Sequence, residues 1–123
     1  MIKSVNINNY SVLDHEPIVN AIKKINEKKN NLQFLIIINS ENKLMGTLTD
    51  GDIRRSLLKG KDLKGKVKEF MHRNPIYGYA NESKDFIDLL LKVSSMNPFL
   101  PVIDKNGKVV KVVVISKDHK LPL

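Results

Sequence analysis

A pattern of helix, strand, turn and strand runs through this chain twice, and that repetition limits the folds open to it. Ile18, Ala21, Ile22 and Ile25 fall at i, i+3, i+4 and i+7, and Phe86, Leu89, Leu90 and Val93 fall at the same intervals 68 residues later. Each set places four apolar side chains on one helix face. An apolar strand follows each helix: Phe34 to Asn39 in the first half, Phe99 to Asp104 in the second, starting 65 residues apart. A turn comes next (Ser40 to Lys43, then Lys105 to Gly107), and then a second strand, Leu44 to Leu48 and Lys108 to Ile115. Asn106-Gly107 predicts a two-residue hairpin with both residues at positive φ. Pro101 lacks an N–H, so its strand is expected at an edge or paired on one side at that point.

A short helix over Asp52 to Leu58, contacting the core through Ile53, Leu57 and Leu58, closes the first half. Its counterpart would begin at Lys117, where the chain runs out. Between the halves lies KGKDLKGKVKEFMHRNP, in which Val67, Phe70 and Met71 can face a core as one helical turn that Pro75 ends. The expectation is an α/β (α+β) fold of two tandem β-α-β-β-α repeats, residues 1–62 and 63–123, with two small sheets packed in a pseudo-two-fold arrangement. A single copy of this size is marginal alone, whereas two copies share one core.

Composition removes several other classes. The 123 residues include no cysteine, which excludes disulfides, thiolate metal sites and a cysteine nucleophile. The longest apolar run, Phe34 to Ile38, is far short of a membrane span, and MIKSVNINNY has no apolar signal region. His15, His72 and His119 are too scattered to predict a metal site. The balance of 21 basic to 13 acidic residues gives a net charge of +8, which suits phosphorylated ligands, anionic lipid or nucleic acid alike. The basic run Lys59, Lys61, Lys64, Lys66 and Lys68 has no interleaved aromatic to stack on bases, so it reads as a solvated linker, and no nucleic-acid partner is expected. No paired acid and base, no nucleophile with its base and no metal set appears, so the chain does not read as an enzyme.

The segment Gly46-Thr47-Leu48-Thr49-Asp50-Gly51-Asp52 stands where the second strand gives way to the short helix. Gly46 permits close approach of a ligand or another backbone. Thr49 offers a hydroxyl and Asp52 a carboxylate, three residues apart at a helix N-terminus, an end that suits phosphate. A carboxylate there can also accept both hydroxyls of a ribose, and Arg54 and Arg55 add cationic forks for phosphate oxygens. Equally, Thr49 and Asp52 form nearly a capping box. Asp50-Gly51-Asp52 as a metal motif of a sugar transferase is a third, weaker reading, because no partner ligands accompany it.

Two copies of this pattern, with G-x-x-T-x-x-D at Gly46, Thr49 and Asp52, resemble a pair of CBS domains, also called a Bateman module. Val67 to Ile76 is similar to the phrase that opens a second repeat in that family. The resemblance covers nearly the whole chain. It implies that Thr49 and Asp52 contact the phosphate and ribose of an adenosine nucleotide (AMP, ADP or ATP). The adenine would rest against Tyr10, Val12, Ile36 and Ile38. In the second half Lys111, Val114 and Lys117 replace Gly46, Thr49 and Asp52, and sliding by one residue sets Asp118 and Ile115 there instead, leaving Ser116 as a remaining donor. The second site is therefore expected to be degenerate.

The wording TDGDIRRSLL also resembles the N-terminal regulatory module of bacterial sugar-phosphate nucleotidyltransferases; similar wording occurs in sugar-phosphate isomerases. The tail His119 to Leu123 looks like a linker ahead of a catalytic domain. These likenesses imply a cytoplasmic regulatory module, with no metal or membrane partner, fused to an enzyme. They also imply a homodimer, with the turn at Val67, Phe70 and Met71 and the short terminal helices as its surface, and with Tyr77 and Tyr79 either on that surface or at a strand edge. The alternative is a dimerisation module without a ligand.

Overall fold

The computed structural model describes residues 2–28, 32–93 and 98–115. In chain order the elements are β1 (Ile2–Val5), β2 (Ser11–Leu13), α1 (Ile18–Asn26), β3 (Phe34–Ile38), β4 (Leu44–Thr49), α2 (Asp50–Leu58), β5 (Gly78–Tyr79), α3 (Lys84–Val93), β6 (Phe99–Ile103) and β7 (Val109–Ile115). Single 3-10 turns lie at Ile7–Tyr10 and Val67–Glu69. One sheet runs β2-β3-β4 and the other β1-β7-β6-β5. In each, the entering strand pairs in parallel with the first hairpin strand, and the hairpin is antiparallel.

The sheets stack face to face, with helices outside. Alternation along β3 decides which side chain goes where. Leu35 and Ile37 join Ile18, Ala21 and Ile25 of α1 and Ile53 of α2 in one core. Phe34 and Ile36 point the other way and meet Phe99, Val112 and Val114 of the second sheet. Behind that second sheet, Ile87 and Leu91 of α3 pack on Leu100, Val102 and Val113. β3 is covered on both faces, which is why it reads as an unbroken apolar run.

A pseudo-two-fold relation joins the halves. Lys43 bridges Lys108, and the N–H of Leu44 donates to Gly107 as that of Val109 donates to Asn42, both at 3.0 Å. The rings of Phe34 and Phe99 stack across this junction at 4.1 Å and 3°.

The leading segments of the two halves cross over. β1 pairs antiparallel with β7 in the second sheet, Ile2 opposite Ile115 through Val5 opposite Val112. In return, Val67, Phe70 and Met71 are buried in the first core, and His72 exchanges both backbone hydrogen bonds with Thr47, at 3.0 and 2.7 Å. The first core thus draws on residues beyond 62, and the second sheet on residues before 6.

Of the three α2 residues expected to contact the core, Ile53 is buried while Leu57 and Leu58 are exposed. Two further details differ from the sequence expectation, and a third bears it out. Of Asn106 and Gly107 only the glycine has positive φ, +86°. The Asp104 carboxylate accepts from the N–H groups of Asn106 and Lys108, at 2.8 and 3.0 Å, and holds Asn106 in an ordinary turn conformation. Those bonds, that of Lys108 foremost, hold the Asp104 carboxyl below the usual carboxylate range. The first hairpin is built alike, with Asn39 as acceptor and Asn42 at φ 65°. The stripe of α3 that faces the sheet is Ile87 and Leu91, both buried, with Leu90 half-buried beside them, while Phe86 and Leu89 are exposed. Finally, β6 is an interior strand. Pro101 nonetheless pairs only with Val112, because β5 begins opposite Val102.

Candidate functional site

Gly46 stands in β4 where the crossing segment comes closest. A Cβ there would lie 2.5 Å from the carbonyl oxygen of His72 and 3.0 Å from Sδ of Met71. Backbone approach therefore already requires the glycine.

β4 ends at Thr49, which caps α2. The Thr49 hydroxyl accepts from the N–H of Asp52 at 3.2 Å. One Asp52 carboxylate oxygen, Oδ2, accepts from the Thr49 N–H at 2.9 Å and from the Thr49 hydroxyl at 3.0 Å. This is a closed capping box. The other oxygen, Oδ1, accepts from Arg55 at 2.9 Å. Arg54 turns instead to Asp50, at 3.0 Å. The Asp52 side chain keeps 15% of its surface, against 64% for Arg55. Both expected uses of the pair thus meet in one place: the box is formed, and it sets a hydroxyl and a carboxylate side by side at the N-terminus of a nine-residue helix.

Gly46, Thr49, Asp52, Arg54 and Arg55 are brought together at this single strand–helix junction. The four residues expected to form the adenine wall lie on neighbouring elements, in different surroundings. Val12 lies in the core beneath α1. Ile36 is fully buried between the sheets. Tyr10 stacks on Phe34 at 4.9 Å with Lys28 Nζ 4.5 Å above its ring. Burial raises the Tyr10 phenol and, with Lys24 nearby, lowers the Lys28 ammonium. Ile38 is half-buried and lines a cavity of about 430 Å³ with Asn6, Asn8, Asn42, Val109 and Lys111. Sequence reasoning did not find this cavity. Its walls come from three distant segments, and its one signal, a cluster of asparagines around Ile7, carries no motif. Lys111 stands in it 65 residues after Gly46.

Ser116, Lys117, Asp118 and the tail His119 to Leu123 lie outside the described residues. Tyr77 and Tyr79 meet edge to face at 5.5 Å beside the sheet-edge strand β5, with their hydroxyls 3.4 Å apart. Val67, Phe70 and Met71 are core residues, so they offer no surface for a dimer. Among the described residues no group of three or more His, Cys, Asp or Glu is placed to hold a metal ion, and no helix is long and apolar enough to cross a membrane.

Known proteins share this fold. The sequence profile of the CBS domain matches residues 2–59. Two Helicobacter pylori proteins, described only as uncharacterized, are 44% identical over 55 residues, which is 45% of this chain and 16% of theirs. The chain thus spans about a sixth of the length of these relatives. A crystallised CBS-domain protein is 30% identical, with 86% of this chain and 81% of that one covered and a TM-score of 0.66. A CBS-domain pair crystallised with 5′-methylthioadenosine and S-adenosyl-L-methionine is 26% identical, with 85% and 83% covered and a TM-score of 0.65.

Proposed function

This chain belongs to the CBS-domain family and carries the domain as a pair, and from that premise we propose that it is a cytoplasmic regulatory module that binds an adenosine nucleotide, AMP, ADP or ATP, at Gly46 to Asp52. One observation carries the reading: the hydroxyl of Thr49 and the carboxylate of Asp52 lie 3.0 Å apart at the start of α2. That pairing suits a phosphate next to a ribose, because the free N–H groups and dipole of the helix end favour the anion while the carboxylate accepts hydroxyls. The adenosine compounds held by the 26%-identical pair, neither of them phosphorylated, support an adenosine-containing ligand. The module would report to a fused sugar-phosphate nucleotidyltransferase, with a sugar-phosphate isomerase as the alternative parent. Regulation requires that the ligand favour one of two arrangements, since equal affinity for both shifts nothing. The crossing segments β1 and 67–72 are the natural link, because each ties one repeat to the core of the other.

The second repeat has Lys111 and Val114 where the first has Gly46 and Thr49. We therefore expect calorimetry of the purified protein with AMP to give one site per chain. Two equal sites would contradict the degeneracy of the second repeat, and no heat with AMP, ADP or ATP would leave only a dimerisation module.

Dimerisation is part of the proposal. Leu57 and Leu58 on α2 and Phe86 and Leu89 on α3 are exposed, Leu58 by 81%. Apolar helix surface of this kind is what a second copy would cover. Light scattering at micromolar concentration should give about twice the chain mass of 14.0 kDa. A mass equal to one chain across that range would exclude the homodimer.

A further inference from the structure

We propose that Arg55 makes the site prefer phosphorylated adenosine ligands over the bare nucleoside, by exchanging Asp52 for the ligand's phosphate when the ribose binds. This rests on the nucleotide site proposed above. Asp52 has too few acceptor positions for all its partners and a ribose at once. A carboxylate has about four lone-pair sites. On Asp52, two are used by the Thr49 N–H and hydroxyl, and a third by Arg55. A ribose diol needs two, and one is open. Leaving Thr49 in place keeps the cap closed, so Arg55 is the partner to be given up. Its release costs little, because the Arg55 end of the pair is exposed and regains water when it leaves.

Arg55 also rests where a phosphate would arrive. Its guanidinium folds back over the first turn of α2, and a Cβ on Gly51 would lie only 3.1 Å from Nη1. Gly51 leaves the room for this. A cation is thereby held at the helix end whose dipole disfavours cations, offset by Asp52. A phosphate arriving at that end would meet both the free N–H groups and the displaced guanidinium, whose planar fork matches its oxygens. Arg54 does not share this role, since its partner Asp50 lies outside the box.

The test titrates the full chain with AMP and with adenosine, as wild type, Arg55→Ala and Arg55→Lys, with ligand-free melting to verify folding. Arg55→Ala should weaken AMP about tenfold or more, through loss of the charge-assisted bonds. It should tighten adenosine by up to about fivefold, because the competitor for Asp52 is gone. Arg55→Lys keeps the charge without the fork and should fall between. Equal weakening of both ligands, or no change in either, would overturn the role of Arg55 while leaving the site standing. Wild-type protein that binds neither ligand would overturn the site itself, and the role of Arg55 with it.

Discussion

Truncating Phe34 to alanine should remove about 3–5 kcal/mol of stability, the usual range for a buried phenylalanine. Phe34 is 1% exposed and stacks on Tyr10 on one side and Phe99 on the other. The variant leaves a cavity on the junction between the two sheets, and it also loses the ring–ring attraction, about 0.5–1.5 kcal/mol per aromatic pair. A domain of this size has about 5–15 kcal/mol in total. The melting temperature should therefore fall on the order of 10–20 °C. Phe86→Ala is the control. Phe86 is 43% exposed on α3, and its loss should change stability by less than about 1 kcal/mol. Thermal melting of both variants checks the pair. A fall of only a few degrees for Phe34→Ala would mean that the two sheets do not depend on this stack.

The contrast between the two phenylalanines shows what was legible in the sequence. The strand–turn–strand units of both halves stand out because β3 and β6 are covered on both faces and so lack polar interruption. The 65-residue offset places Phe34 and Phe99 in register, which is how they meet. The face of α3 is harder to read, because Phe86, Ile87, Leu89, Leu90 and Leu91 clothe most of its circumference. A stripe can then be drawn in more than one phase, and packing on Leu100 and Val102 selects Ile87 and Leu91. β1 has only four residues, and two of its side chains are polar; its partner β7 lies more than a hundred residues away, so no local signal marks it.

At the candidate site, the spacing of Gly46, Thr49 and Asp52 was legible together with the junction that carries them. The burial of the expected wall residues was not, because alternation along β3 and its neighbours decides burial more strongly than nearness in sequence. Ile36 and Val12 serve cores on opposite faces of one sheet. Gly46 makes the same point, since its lack of a side chain is required by His72 whether or not a ligand comes near.

The central claim, that an adenosine nucleotide is held through Asp52, is tested most directly by titrating AMP into Asp52→Ala. As part of the capping box, Asp52 contributes through its charge at the helix start, which is worth about 0.3–1 kcal/mol. Ligand-free melting should register that modest loss. A ribose bond to a charged group contributes about 1.5–3 kcal/mol more, on the order of 10- to 150-fold in Kd. Asp50→Ala, which removes a neighbouring exposed carboxylate outside the box, separates this from a general change of charge. The prediction is a folded Asp52→Ala protein that binds AMP at least tenfold more weakly than the wild type and the Asp50→Ala protein. Unchanged AMP affinity in folded Asp52→Ala would contradict it and leave Thr49 and Asp52 as a helix cap alone.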